Sequence, residues 1–200
     1  MESWEIGGHT LEYIDEEHLY LVDGEIVPSV TQMLKFKFGN KYASVDPSVL
    51  QKASEEGTKM HQAIENLCKN GEKSDLVEVR GFQFLQNHYK FEVIQNEVPV
   101  ILSKDNEPIC AGRLDMIIKM DGQMGLADLK RTYVLDKEYL GYQLNLYRIA
   151  YQQTYGEEIK LLRGIHLREL TRKYVTIPIK EEMAWEFINE YERSKEDGDL

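Results

Sequence analysis

The chain reads as an α/β protein in which a mixed central β-sheet is flanked by helices. Three observations predict this class. The apolar period changes from helical to extended near Val93 and returns to helical near Lys137. Residues 124–129, Met-Gly-Leu-Ala-Asp-Leu, are almost uniformly apolar, as a strand covered on both faces would be. The resulting order, helices then three strands then helix, strands and helix, suits a sheet with helices on its faces better than a bundle or a sandwich.

The elements follow in order. Short strands are expected at 11–14 and 19–22, with Asp23-Gly24 turning the chain into a third at 25–27. Ser29 can cap a short helix through Leu34. Ser44 or Asp46, with Pro47 in the first turn, opens a longer helical region to about Lys69; Gly57 is a candidate break and Asn70-Gly71 the terminator. Leu76, Val79, Phe82, Leu85 and Tyr89 mark a helix over 75–91. Strands are expected at 93–102, 109–119 and 124–129, the last two joined by the turn Asp121-Gly122-Gln123. Leu140, Leu144, Tyr147, Ile149 and Tyr151 lie along a helix over 137–155. Strands at 159–167 and 174–179 and a helix over 181–194 complete the chain. The 200 residues fit one domain, with an N-terminal hairpin and helical extension over about 1–45.

Composition excludes several classes. No apolar run is long enough to span a bilayer, and MESWEIGGHT has no basic head leading into an apolar stretch, so no secretory signal is visible. Two cysteines, Cys68 and Cys110, form no disulfide framework and are too few for a four-cysteine iron–sulfur cluster; a reducing cytoplasm is the simplest setting. Net charge is −11, from 24 basic and 35 acidic residues, which argues against nucleic-acid binding over the whole surface but leaves room for a local basic groove.

The chemistry concentrates in Ala111 to Lys130. Asp115 sits inside an apolar strand, where a charge is costly unless paired or bound to metal. Asp128 and Lys130 are two apart, so on a strand they share a face, where they could form a plain ion pair. A hairpin would bring the two carboxylates and the ammonium together; two acids can hold a hard divalent cation, with the lysine free to act on what that cation activates. His61 and Glu65 share one helical face, with Glu65 placed to fix the His61 tautomer. Gln143 and Tyr147 are one turn apart on the helix after Lys130. Lys35-Phe36-Lys37-Phe38-Gly39-Asn40-Lys41-Tyr42 alternates basic and aromatic residues in an expected loop, suited to phosphates and bases. Arg131 is a further candidate for phosphate, and Arg163, Arg168, Arg172 and Lys173 form a second basic cluster.

Taken in order, Gly57-x-x-x-His61, Glu97, Gly112-Arg113-Leu114-Asp115, Asp128-Leu129-Lys130 and Gln143-x-x-x-Tyr147 resemble the RecB-like branch of the PD-(D/E)XK nuclease superfamily, closest to phage or prophage recombination exonucleases. The resemblance spans about Gly57 to Tyr147, and Val27-Pro28-Ser29-Val30-Thr31 also resembles the start of phage-encoded members. It implies a restriction-endonuclease-like core and a deoxyribonuclease acting in DNA recombination or repair. It implies Mg2+ or Mn2+ on Asp115 and Asp128, with His61 as a ligand or near-ligand and the Leu129 carbonyl as a third. Lys130 would orient the attacking water and stabilise the charged phosphorane, while Gln143 and Tyr147 support the site or grip DNA. Glu97 is the site residue with the least local support. Partners implied are DNA, a single-strand annealing protein and further copies of the chain, since similar phage exonucleases form rings. The cluster cysteines of CRISPR-associated members are missing. An endonuclease on the same core, or a non-catalytic nucleic-acid-binding protein on a degenerate nuclease fold, remain alternatives. No glycine-rich phosphate loop, nucleophile elbow or zinc motif supports a small-molecule α/β enzyme.

Overall fold

The computed structural model describes residues 1–39 and 45–196. Its elements are β1 (Glu2–Ile6), β2 (His9–Ile14), β3 (Leu19–Val22), β4 (Glu25–Val27), α1 (Val30–Phe38), α2 (Pro47–Asn70), α3 (Val77–Tyr89), β5 (Glu92–Lys104), β6 (Glu107–Met120), β7 (Gln123–Lys130), α4 (Lys137–Tyr155), β8 (Leu161–Arg168), β9 (Thr171–Ile177) and α5 (Glu181–Glu196). The protein is α/β, with a mixed five-stranded sheet ordered β5-β6-β7-β8-β9 and flanked by helices. Within it β7 and β8 run parallel, joined by the crossover helix α4; the other neighbours are antiparallel. A second sheet, β1-β2-β3-β4, is an antiparallel meander.

Three differences from the sequence expectation have local causes. β1 is an additional strand; it pairs along its whole length with β2, Glu2 opposite Tyr13 and Ile6 opposite His9, and this pairing supplies the order its mixed composition does not. α1 runs past Leu34 to Phe38, so residues 35–38 are helix rather than loop. The Ser29 capping box starts α1, and aromatic packing holds its far end: Phe36 meets Phe187 and Tyr191, and Phe38 meets Tyr139 and Tyr142. α2 passes Gly57 unbroken, from an Asp46 N-cap with Pro47 next to a left-handed Gly71 cap.

The large sheet separates two apolar layers. On one face α1, α4 and α5 pack through Leu34, Leu144, Leu146 and Phe187 against Val100, Leu126 and Leu162. On the other, Met60 and Ile64 of α2 and Phe82 of α3 meet Met116, Leu129 and Ile165. The small sheet lays Leu11 and Tyr20 on Ile101 and Ala111, while Ala111 N donates to Pro28 O at 3.0 Å. The edge strand β5 is covered by α4: Thr154 Oγ1 accepts from Ile101 N, Gln153 Oε1 accepts from Ser103 N, and Tyr155 donates to Pro99 O.

Close approach requires glycine at two sheet positions. A Cβ at Gly125 would lie 2.7 Å from Leu161 Cβ and 2.9 Å from Leu161 O, and one at Gly112 would lie 3.0 Å from the Tyr147 ring. Gly125→Ala is expected to lower unfolding free energy by about 1–3 kcal/mol through overpacking between the parallel strands. Gly57→Ala, with nothing within 4 Å of the added carbon, is expected to raise it by about 0.5–1 kcal/mol through helix propensity. Urea denaturation of both variants checks the opposite signs.

Candidate metal centre

β6 and β7 pair from Met120–Gln123 as far as Met116–Ala127 and then part. The next residues would be Asp115 and Asp128, and from here β7 is held mainly by β8, through Asp128–Gly164 and Lys130–His166. Asp115 closes the gap with its side chain: Leu129 N donates to Asp115 Oδ2 at 2.6 Å. The Leu129 carbonyl accepts from His61 Nε2 at 3.2 Å, tying α2 to the same point. With Nε2 so placed, the ring turns Nδ1 toward Asp115 Oδ1, 3.7 Å away.

Glu97 completes the group. Asn96 pairs with Met116 and Val98 with Leu114, so Glu97 stands across from Asp115. Its backbone is left-handed, φ 51°, inside a strand. For a non-glycine residue that costs about 1–2 kcal/mol, the kind of strain held at functional sites. One ligand atom each from His61, Glu97 and Asp115 lies within 4.8 Å of the other two, and all three side chains are only partly buried. This donor set, one imidazole nitrogen and two carboxylates, could hold a divalent cation. Burial, and then the Asp115 charge, push the Glu97 carboxyl up to about 7, against the pull of Arg113 and His61. Two acids that repel one another beside an imidazole form a site that a cation would relieve.

Asp128 and Lys130 lie on one face of β7 as their spacing requires, Nζ 2.6 Å from Oδ2. The contact is a close buried ion pair. Burial raises the Asp128 carboxyl; Lys130 draws it back and the Asp115 charge adds to the rise. Burial opposes the Lys130 ammonium, but Asp128 and Asp115 more than offset it, so the lysine stays charged. An open cleft of about 690 Å³ leads to the triad, lined by Glu2 and Trp4 of the small sheet, Gly57, Thr58 and Gln62 of α2, and Arg113 of β6. Arg113 bridges the walls. Its guanidinium is 2.9 Å from Glu2, 3.7 Å from Glu97 and 4.8 Å from the centre of the Tyr13 ring.

The structure therefore brings His61, Glu97, Asp115, Asp128, Leu129 and Lys130 together, with corrections of detail. The group that converges is His61, Glu97 and Asp115, while Asp128, expected beside Asp115, pairs with Lys130 through Oδ2. The Leu129 carbonyl accepts from His61 and so takes the tautomer-fixing role expected of Glu65. Glu65 itself binds Lys69 at 2.5 Å and Gln62 at 3.2 Å, because Lys69 is equally one turn away and longer in reach. Arg131 is held between Glu56 at 2.5 Å and Glu78 at 3.0 Å, joining α2 and α3 to the end of β7, so its guanidinium is engaged by two carboxylates. Tyr147 is buried on Gly112 and Gln143 is buried with Oε1 unpartnered, so neither offers an open surface. Lys35 and Lys37 lie in the last turn of α1, which packs on α4 and α5 and not on the cleft; Lys37 sits 5.0 Å over the Tyr142 ring. Lys41 lies outside the described residues. Arg163 is buried, 5.7 Å from the centre of the Tyr174 ring, and so leaves the second basic cluster. Sequence reasoning missed Arg113, Glu2 and Trp4 as cleft residues. The one local signal for them is the Gly-Arg-Leu-Asp order, which places Arg113 two residues from Asp115 on the same strand face.

No family's sequence model matches the chain, and no curated protein matches it. Among solved structures, a protein described as SSO0001 is similar at 13% sequence identity and a TM-score of 0.46, over 82% of this chain and 74% of that one. No described helix is long and apolar enough to cross a membrane.

The raised Glu97 pKa has a definite sign in stability. The folded state holds this proton to about pH 7 while the unfolded chain releases it near 4.5, so folding loses stability as pH rises from 4.5 to 7 and is flat above. In chelator, Glu97→Gln is expected to gain about 1–3 kcal/mol over wild type at pH 8 relative to pH 5, after allowance for partial exposure. Denaturation at the two pH values measures it, and an unchanged difference refutes the raised pKa. Asp115→Asn and His61→Ala are each expected to weaken Mn2+ binding about tenfold or more, read by electron paramagnetic resonance of free Mn2+.

Proposed function

We propose that this protein is a metal-dependent DNA nuclease, and specifically an exonuclease of the phage or prophage recombination type. The observation that carries the reading is the convergence of His61, Glu97 and Asp115 from three elements beside a buried Asp128–Lys130 pair. A structural ion-pair network alone has little reason to set two carboxylates and an imidazole around one point while a strand is bent into left-handed backbone to complete it. A Mg2+ or Mn2+ ion held by these three residues would supply an acidified water and positive charge for a phosphate oxygen. The chain's own residues do the rest. Leu129 O holds the His61 ring so that Nδ1 faces inward, and Leu129 N fixes the Asp115 carboxylate. Lys130, anchored by Asp128, would supply positive charge as the attacked phosphate becomes more negative and would orient the attacking water. The small sheet, with Glu2 and Trp4, walls one side of the cleft, which suits entry of a strand end.

The test is cleavage of linear and closed-circular DNA with Mg2+, Mn2+ or chelator. Metal-dependent loss of linear DNA alone supports the exonuclease; nicking of circles moves the reading to an endonuclease on the same core; binding without cleavage refutes catalysis. Lys130→Ala is expected to retain Mn2+ and DNA binding and lose about 10²–10³-fold in turnover. Lys130→Gln controls for the unpaired Asp128, and normal cleavage by either variant removes the lysine from the mechanism.

A further inference from the structure

We propose that the tip of the β8–β9 hairpin, with the loop after Lys130 and the outer face of α3, is a track for single-stranded nucleic acid leading away from the metal centre. The inference rests on the nuclease reading for what the strand is for, but not for whether it binds. The topology brings these parts together. β7 and β8 are parallel, with Lys130 in register with His166, so the segment leaving Lys130 and the hairpin that follows Arg168 emerge at the same edge of the sheet. His166 Nε2 lies 2.7 Å from Thr132 O and fastens the loop to β8. Glu78 accepts from both Arg131 and Glu169 N, and so fastens α3 to the loop and the hairpin tip.

What this edge presents to solvent is unlike the rest of a chain with net charge −11. Arg168 lies 5.1 Å from the Tyr133 ring centre and Arg172 lies 4.2 Å from that of Phe84, with exposed Arg80 beside the tip. Tyr133 is 83% exposed, Leu170 91% and Phe84 48%. The acid at the tip is Glu169, 3.7 Å from Arg168 and 74% exposed, so it screens that arginine only weakly. Large apolar groups left in water mark a contact surface. Guanidinium groups beside exposed rings favour one occupant over a protein partner: cations meet phosphates while the exposed Tyr133 ring stacks on an unpaired base. A duplex hides its base faces, so the rings favour a single strand.

The experiment is fluorescence anisotropy of a labelled oligothymidylate, and of a labelled duplex, in chelator across a salt series. The wild type is expected to prefer the single strand. Arg168→Ala/Arg172→Ala is expected to weaken binding about tenfold or more and to flatten the salt dependence by about 0.7 for each phosphate left without its arginine. Tyr133→Ala is expected to weaken binding about fivefold or more with the salt slope unchanged. Unchanged affinity in both variants overturns the track, whatever proteins the surface is found to bind, and equal affinity for duplex overturns the single-strand assignment. Hydrolysis of bis(p-nitrophenyl) phosphate by the wild type with Mn2+ tests the nuclease reading separately, since that small diester needs no track: binding without hydrolysis sinks the nuclease and leaves the track standing.

Discussion

The hydrogen bond from Leu129 N to the Asp115 carboxylate is the interaction on which the candidate site depends. It stands where two antiparallel strands stop pairing, so a side chain takes over from the backbone ladder. One oxygen of Asp115 is thereby fixed, and the other is left facing His61. The carbonyl of the same residue, Leu129, sets the imidazole. A single peptide segment of β7 thus orients a carboxylate from β6 and a histidine from α2. Without it, Asp115 would be a charge in an apolar strand with nothing to hold its direction.

Around that bond the charges are arranged in opposition rather than neutralised in pairs. Glu97 is brought opposite Asp115, and its carboxyl rises toward neutrality because burial and a like charge both disfavour its ionised form. Arg113 moderates this from 3.7 Å while also reaching Glu2, so the small N-terminal sheet is coupled electrostatically to the centre. Asp128 and Lys130 do the reverse: each would be costly to bury alone, and they are buried as a pair.

Much of this is legible in the order of residues. Periodicity places α4 with its observed bounds, and Asp46-Pro47 and Asn70-Gly71 mark the ends of α2 because caps are local chemistry. The same-face pairing of Asp128 with Lys130 follows from a two-residue spacing. Other features are hidden because their causes are not local. α1 extends to Phe38 because rings from α4 and α5 receive Phe36 and Phe38. Arg131 looks free in the sequence because Glu56 and Glu78, which hold it, are 75 and 53 residues away.

What the sequence determined by itself was a set of elements and a short inventory of acids, one histidine and one lysine, because helix and strand periods and turn residues act over a few positions. What only the tertiary structure decided was which of those acids meet. Glu97 joins His61 and Asp115 through the register of β5 on β6 and a left-handed backbone within the strand, and Glu65 pairs with Lys69 although it lies one helical turn from the histidine. Register and strand parting are set by packing across the whole sheet, so no local pattern around residue 97 could announce them.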